Sequence, residues 1–450
     1  MVFNKKNHAQ TVAVLLLMPI LLGAFYGFSP QTLVHADSAA DNWPMYHHNP
    51  AHTGYSDTIA PTAAVQLWNY TIDTEPFSTP ASPVVVDGFL YVSSADYIYC
   101  FDAYTGAKVW NVSTENFVGS TPAVVNGRVY ACSADGYLYC LDASSGAQIW
   151  NYSIRMLGQP AGSADSSPTV VGDRVYVESW SGDVYCLNAE DGNKVWNYST
   201  GANALDSSPA VDGGYVYVGN SEGSVFCLDA SNGAKIWNFT VGGAVHSPAV
   251  ADGYVYLGSA DGNAYCLNAS SGEKIWNYTT EYNSNGPSHG YHWGNAVSDP
   301  AVANGYVYVG SSDFDVYCLD AFNGSQIWNY TTGAEVYAAP AVAGGFVFVG
   351  SYDGNVYCLN TFNGLEMWSY PAGVYSPTNA GGSAGSPAIV DGVVYVVGNG
   401  EIFALGEPST ASSPFPLSVV IFVVAFVVLS LTAAVLIRRR RTQQQRLRTV

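Results

Sequence analysis

Along residues 66–406, short runs of β-branched and aromatic side chains are cut off again and again by Gly, Asp-Gly or Asn-Gly. One stretch shows the whole pattern: Ser247-Pro248-Ala-Val-Ala-Asp-Gly253, Tyr254-Val-Tyr-Leu-Gly258, Asp261-Gly262, Ala264-Tyr-Cys-Leu-Asn268, Gly272, and Lys274-Ile-Trp276-Asn-Tyr-Thr279. Runs this short, punctuated by residues that tolerate tight turns, predict strands joined as hairpins. Each such stretch is therefore one four-stranded antiparallel sheet. A sheet apolar on both faces is unstable alone, so successive sheets must stack, and closing the stack into a ring removes its exposed ends.

The repeat is located by its tryptophans. Trp68, Trp110, Trp150, Trp196, Trp237, Trp276, Trp328 and Trp368 are 42, 40, 46, 41, 39, 52 and 40 residues apart, a period that belongs to ring or solenoid architectures. First-strand signals number eight: Ser82-Pro83, Thr121-Pro122, Ser167-Pro168, Ser208-Pro209, Ser247-Pro248, Asp299-Pro300, Ala339-Pro340 and Ser386-Pro387. The last unit ends at Ala404-Leu405-Gly406 without a Trp-bearing strand, whereas Trp68, on Gln66 to Ile72, is a fourth strand with no first three. The expected fold is all-β: an eight-bladed β-propeller of four-stranded antiparallel blades over 66–406, closed by that N-terminal strand.

The turn from third to fourth strand carries a resemblance. Cys140-Leu-Asp142-Ala-Ser-Ser145-Gly146-Ala-Gln-Ile-Trp150 resembles the tryptophan-docking motif, Ala-x-Asp-x-x-Thr-Gly-x-x-x-Trp, of pyrroloquinoline-quinone-like (PQQ repeat) propellers, and seven copies span nearly all of 66–406. The resemblance implies that each Trp wedges against a neighbouring blade, seated on the Gly and the small residue at the motif's first position. Asn42 to Gly54, with Trp43, His47, His48 and His52, is similar to the lead-in segment of exported members.

Cys100, Cys140, Cys186, Cys227, Cys266, Cys318 and Cys358 occupy the motif's first position, too far apart on successive blades for disulfides, and read as small buried hydrophobes. Cys132 stands near Cys140 across one hairpin, where a pairing is open. Asn69, Asn111, Asn151, Asn197, Asn238, Asn277 and Asn329 each follow a docking Trp in Asn-x-Ser/Thr, and are either glycan acceptors or polar positions turned outward on an edge strand. The tyrosines, mostly in Val-Tyr-Val and Val-Tyr-Cys, are expected to pack between blades.

Only 11% of residues are charged and 48% are hydrophobic, which excludes disorder and coiled coil. Eight of the 15 basic residues lie in the two tails, so 35 acidic residues face seven basic ones in between, and nucleic acid is excluded as a natural partner. Residues 1–36 read as a signal peptide, or an uncleaved anchor, with Lys5 and Lys6 before an apolar stretch. Residues 37–65 lead in to the ring, 407–416 form a Ser/Pro-rich spacer, 417–437 are an uncharged run fit for one transmembrane helix, and 438–450 are a basic, cytoplasmic tail. That end also resembles prokaryotic sorting tails exchanged for a lipid, although the motif before the helix is not a close match. The ring is thus expected on the extracytoplasmic face of a cell membrane.

Chemistry is sparse. The enzymatic reading is a PQQ-dependent (quinoprotein) dehydrogenase-like oxidoreductase, whose family binds a tricarboxylate quinone and calcium. Here Lys108, Lys194, Lys235 and Lys274 precede docking tryptophans on outer strands, Arg128 and Arg174 open second strands, and only Arg155 is placed to overhang the axis, so quinone and calcium are disfavoured. No catalytic or metal residues are assigned; Asp135-Gly136, Asp261-Gly262 and Asp353-Gly354 are hairpin turns before they are calcium loops. Long connections at 154–165, 280–299 and 371–385 break the repeat. The second holds Tyr282, His289, Tyr291, His292 and Trp293, a patch for a sugar, a peptide or a metal, or else a loop packed on itself. The leading expectation is a non-catalytic, membrane-anchored scaffold for protein binding or envelope assembly, similar in role to the propeller lipoproteins of outer-membrane assembly. A glycan-binding envelope protein is a further alternative.

Overall fold

The structure is a computed structural model that describes residues 42–72, 81–154, 166–202, 207–281, 296–373, 385–398 and 400–407. The signal segment 1–36, the spacer from 408, the apolar run 417–437 and the basic tail lie outside them. Among the described residues no helix is long and apolar enough to cross a membrane.

Eight sheets form the ring. Blades 1 to 7 span 84–113, 123–153, 169–199, 210–240, 249–279, 301–331 and 341–371, each running from the axis outwards as four antiparallel strands. Blade 8 takes three strands from the end of the chain, Ala388–Val390, Val393–Gly398 and Glu401–Gly406, and its outer strand, Val65–Thr71, from the beginning. Trp68 pairs with Ala404, the closure expected from the sequence. One sheet departs from expectation. Tyr55–Ser56 adds a fifth strand to blade 7, parallel to Ala341–Ala343.

First-to-second and third-to-fourth turns lie on one face, called here the turn face, and the second-to-third turns and inter-blade connections lie on the other, the loop face. Asp252-Gly253 and Asn304-Gly305 turn with φ of 51° and 79°, and 52° and 80°, the mirror-image turn geometry that suits twisted hairpins.

The blades are joined by a repeated contact. The indole of Trp276 in blade 5 donates to the Ala321 carbonyl of blade 6 at 2.9 Å, and the same oxygen accepts from Tyr256 Oη at 3.3 Å. A Cβ on Gly324, which sits at φ 71°, would come within 2.7 Å of that indole ring, so only glycine makes the seat. The same arrangement recurs from Trp68 on Gly106 to Trp328 on Gly364. The residue at the motif's first position lies beside the Trp of its own blade: Cys266 is the cross-strand partner of Trp276, with Tyr256 on its other side. Blade 8 has no such turn, and Trp368 donates instead to Pro61 of the N-terminal arm at 3.2 Å. Truncating a buried Trp of this kind costs about 3–5 kcal/mol.

All eight cysteines are buried thiols outside any disulfide, so Cys132 and Cys140 are not joined to each other. Their register explains it: Cys132 faces Leu138, and Cys140 faces Tyr130. Burial pushes the Cys266 thiol up to about 12 and the Cys140 thiol up to about 11, which leaves no reactive thiolate.

Candidate functional site

Within its own four strands each blade leaves its innermost strand as an edge, with N–H groups toward the axis that need partners from elsewhere. The lead-in segment supplies the partners. Running once around the axis, it offers the Trp43 carbonyl to Val85 N in blade 1 (2.9 Å) and Pro44 O to Val124 N in blade 2 (2.7 Å). It continues with Pro50 O to Val211 N (2.6 Å), Ala51 O to Val250 N (2.8 Å), Thr53 O to Val302 N (2.7 Å) and Gly54 O to Val342 N (2.7 Å). Blade 3 is met by a side chain, with His52 Nε2 at 3.1 Å from Thr169 Oγ1, and blade 8 by Thr58 Oγ1, which accepts from Asp391 N at 3.0 Å. Residues 43–58 therefore form a plug at the axis that touches all eight blades.

Within this plug the aromatic and polar groups serve one another. Tyr46 donates its hydroxyl to the Asp299 carboxylate, and His47 stacks on the Tyr46 ring at 4.4 Å. His47 Nδ1 donates to the His52 carbonyl at 3.2 Å, which assigns its proton to Nδ1. Burial lowers the pKa of His47, partly offset by the charge of Asp299. Burial and the neighbouring His47 push His52 down to about 3. Both imidazoles are neutral at physiological pH and sealed from solvent, which suits packing and excludes proton shuttling with the exterior.

The residues that signalled first strands also form a ring. Thr121 Oγ1 accepts from Ser82 N at 3.1 Å, Ser167 Oγ from Thr121 N at 3.0 Å, Ser208 Oγ from Ser167 N at 2.9 Å, and Ser247 Oγ from Ser208 N at 3.0 Å. Asp299 Oδ1 accepts from Ser247 N at 3.0 Å, and Ser386 Oγ from Ala339 N at 2.9 Å. The Ser, Thr and Asp before each proline are thus blade-to-blade fasteners at the axis. Ala339 has no acceptor, and there the chain of fasteners breaks.

Glu178 departs most from the repeat. It ends the second strand of blade 3, where blades 4, 5 and 6 carry Gly219, Gly258 and Gly310, and its fully buried carboxyl has no hydrogen-bond partner. Burial, and then the charge of Asp183, raises its pKa well above the ordinary value. A recess of about 700 Å³ on the turn face lies between the plug and blades 3 and 4, with Pro50, Arg174, Tyr176, Asp212 and Asp229 in its wall. Its one cation is engaged by Asp173.

Of the residues singled out from the sequence, Tyr282, His289, Tyr291, His292, Trp293 and Arg155 lie outside the described residues. The ends of their connections, Thr280, Val297 and Ile154, sit on the loop face. Lys108, Lys194, Lys235 and Lys274 are exposed on outer strands, and Arg128 donates to the Ala189 and Glu190 carbonyls. Among the described residues the basic side chains thus stand on outer strands or at turns, and Arg155 lies outside them. The seven sequon asparagines are exposed on outer strands, four of them accepting from the residue three positions earlier, as Asn277 does from Lys274 at 3.0 Å. Asp261 caps its turn and the preceding connection, accepting from Tyr265 Oη at 2.7 Å and Gly242 N at 2.8 Å.

Tyr46, His47, His52, Asp299 and Glu178 were missed from the sequence as a group. The signal for two of them was present: Asp299 stands where six other blades have Ser or Thr, and Glu178 where most have Gly.

The family described as outer membrane protein assembly factor BamB matches residues 58–278 and 279–409, most of the chain. The chain belongs to this family. BamB from Moraxella catarrhalis is a similar solved structure, 20% identical, with 77% of this chain and 98% of that chain covered at a TM-score of 0.60. Quinohemoprotein alcohol dehydrogenase from Comamonas testosteroni is 17% identical over 83% of this chain and 82% of that chain, with a TM-score of 0.68. The computationally designed Ika8 protein is 14% identical over 76% and 99%, at 0.62. At such identities the likeness is one of fold. No curated protein sequence matches significantly.

Proposed function

We propose that this BamB-family propeller is a non-catalytic scaffold for protein binding or envelope assembly, exposed on the extracytoplasmic side and held to the membrane by residues 417–437. The observation that supports the reading is the axis, where residues 43–58 of the same chain cover the inner strands of the blades. The family's printed description and the buried thiols support it. Partner surface would then lie on the loop face, including the connection with Tyr282, His289, Tyr291, His292 and Trp293. Crosslinking in native membranes, followed by identification of the neighbours, should recover envelope proteins; a triple substitution of Tyr291, His292 and Trp293 that leaves recovery unchanged would move the surface elsewhere.

A quinoprotein dehydrogenase-like reading rests on the fold shared with quinohemoprotein alcohol dehydrogenase. Adding quinone and calcium to the purified protein separates the two readings. A bound chromophore with alcohol-dependent dye reduction would overturn the scaffold.

A further inference from the structure

The eight blades are not equivalent on the turn face. At one position of the docking turn, blades 2 to 5 carry Ser144, Glu190, Ser231 and Ser270, whereas blades 1, 6 and 7 carry Tyr104, Phe322 and Phe362. The three rings are 54%, 58% and 83% exposed, and Leu365, in the same turn as Phe362, is 63% exposed. Blade 8 lacks the turn, and in its place the N-terminal arm brings Ile59, 73% exposed, against Gly392, whose N–H donates to the Ile59 carbonyl at 3.1 Å. Exposed apolar groups thus occupy consecutive blades 6, 7, 8 and 1. Blade 7 is also the least charged: residues 343–346 and 360–365 contain no ionisable side chain. The opposite blade, 3, presents Asp173, Arg174, Glu190, Asp191 and Lys194 at the same turns. The apolar residue before each docking Trp, from Leu67 to Met367, is repeated evenly around the rim and marks no sector.

The chain leaves the ring in the middle of this sector. The last strand of blade 8 ends at Gly406 on the turn face, and Glu407 is held there by Thr62, whose N–H and hydroxyl donate to its carboxylate at 3.2 and 2.5 Å. Only residues 408–416 separate Glu407 from the apolar run 417–437. Fully extended, such a spacer reaches about 30 Å. Aromatic and aliphatic side chains beside a membrane anchor collect at the boundary between headgroups and hydrocarbon, and the blade 7 turns at 343–346 and 360–365 can enter that boundary without stripping water from ions, while Asp102, Asp320 and Asp391 in the flanking blades stay at headgroup level.

We propose that blades 6, 7, 8 and 1 rest their turn face on the bilayer, so that the ring stands tilted with blade 7 against the lipid and blade 3 raised from it. The inference builds on the membrane-anchored reading above. It commits to neutral or zwitterionic lipid, because the acidic ring repels anionic headgroups.

The test uses the full chain reconstituted in phosphatidylcholine vesicles, with a fluorophore on Phe362→Cys or, separately, Glu190→Cys; the native thiols are buried and stay unlabelled. A quencher carried on the lipid should quench the probe at 362 about threefold more than the probe at 190, since an interfacial apolar face sinks about 5–10 Å into the boundary. Phe322→Ser with Leu365→Ser should narrow that ratio without changing thermal stability. Equal quenching at both positions, in a chain that alkaline carbonate does not extract, overturns the tilt and leaves the anchor standing. A chain that carbonate does extract overturns the anchor and the tilt together. Crosslinking between two chains at 362, without lipid quenching, overturns the tilt and assigns the sector to a second copy.

Discussion

The rim and the axis of this ring are held by opposite means. At the rim, one contact is copied from blade to blade: an indole on a glycine, with its N–H on the next blade's carbonyl. At the axis, a single segment without any repeat satisfies blade after blade, using a carbonyl for six of them, an imidazole for another and a hydroxyl for the last. Adjacent blades can solve their shared interface in pairs, so duplication suffices there. An inner edge strand has no neighbour on its axial side, and what covers eight such edges must pass through the centre once.

The comparison is broken most severely from the axis. A mature chain that begins at Ala60 would lose the plug, its hydrogen bonds and the buried Trp43 and Met45. At about 1 kcal/mol per bond and about 1.5–3 per large buried side chain, the loss is on the order of 10–15 kcal/mol. An unchanged denaturant midpoint would show that the plug is decoration. At the rim, Gly272→Val places a branched side chain at φ 71°, where a Cβ would already lie 2.7 Å from the Trp237 ring. Strain and overpacking together should cost about 3–4 kcal/mol. Gly253→Val has a similar φ of 79° but nothing within 4 Å, so it should cost only about 1–2 kcal/mol. Equal losses at the two glycines would remove the docking explanation.

A pH titration sharpens the axial side. His52 is pushed from 6.5 to about 3 by burial, so the unfolded chain takes up the proton first. Its contribution is complete above the unfolded value and drains away as pH falls below it, by about 2 kcal/mol between pH 7 and pH 5. His52→Gln should flatten that part of the stability profile, and an unaltered slope would place the acid sensitivity elsewhere. The smallest effect is expected on the outside of the rim, where Ile275, 42% exposed, precedes a docking Trp. Ile275→Thr should shift stability by less than about 0.5 kcal/mol. A larger loss would mean that this face is covered by something in the folded protein.

The repeat, the blade count, the closure at Trp68 and the outward asparagines were legible because each depends on neighbours close in sequence or on a pattern copied eight times. Turn chemistry and strand alternation act over a few residues, and a period of about forty identifies a stack without knowledge of any contact. The plug was legible only as a lead-in segment. Its partners are spread from Val85 to Asp391, and no local propensity says that Pro44 and Thr53 will meet opposite sides of one channel. Asp299 shows the same limit: one letter departs from the repeat, but its bonds to Tyr46 and Ser247 exist only once the axis has formed. Periodic sequence alone thus determined the blades and how many there are. Which groups are buried at the centre, neutral and sealed, was decided by closure of the ring, because only closure brings residues hundreds of positions apart within hydrogen-bonding distance.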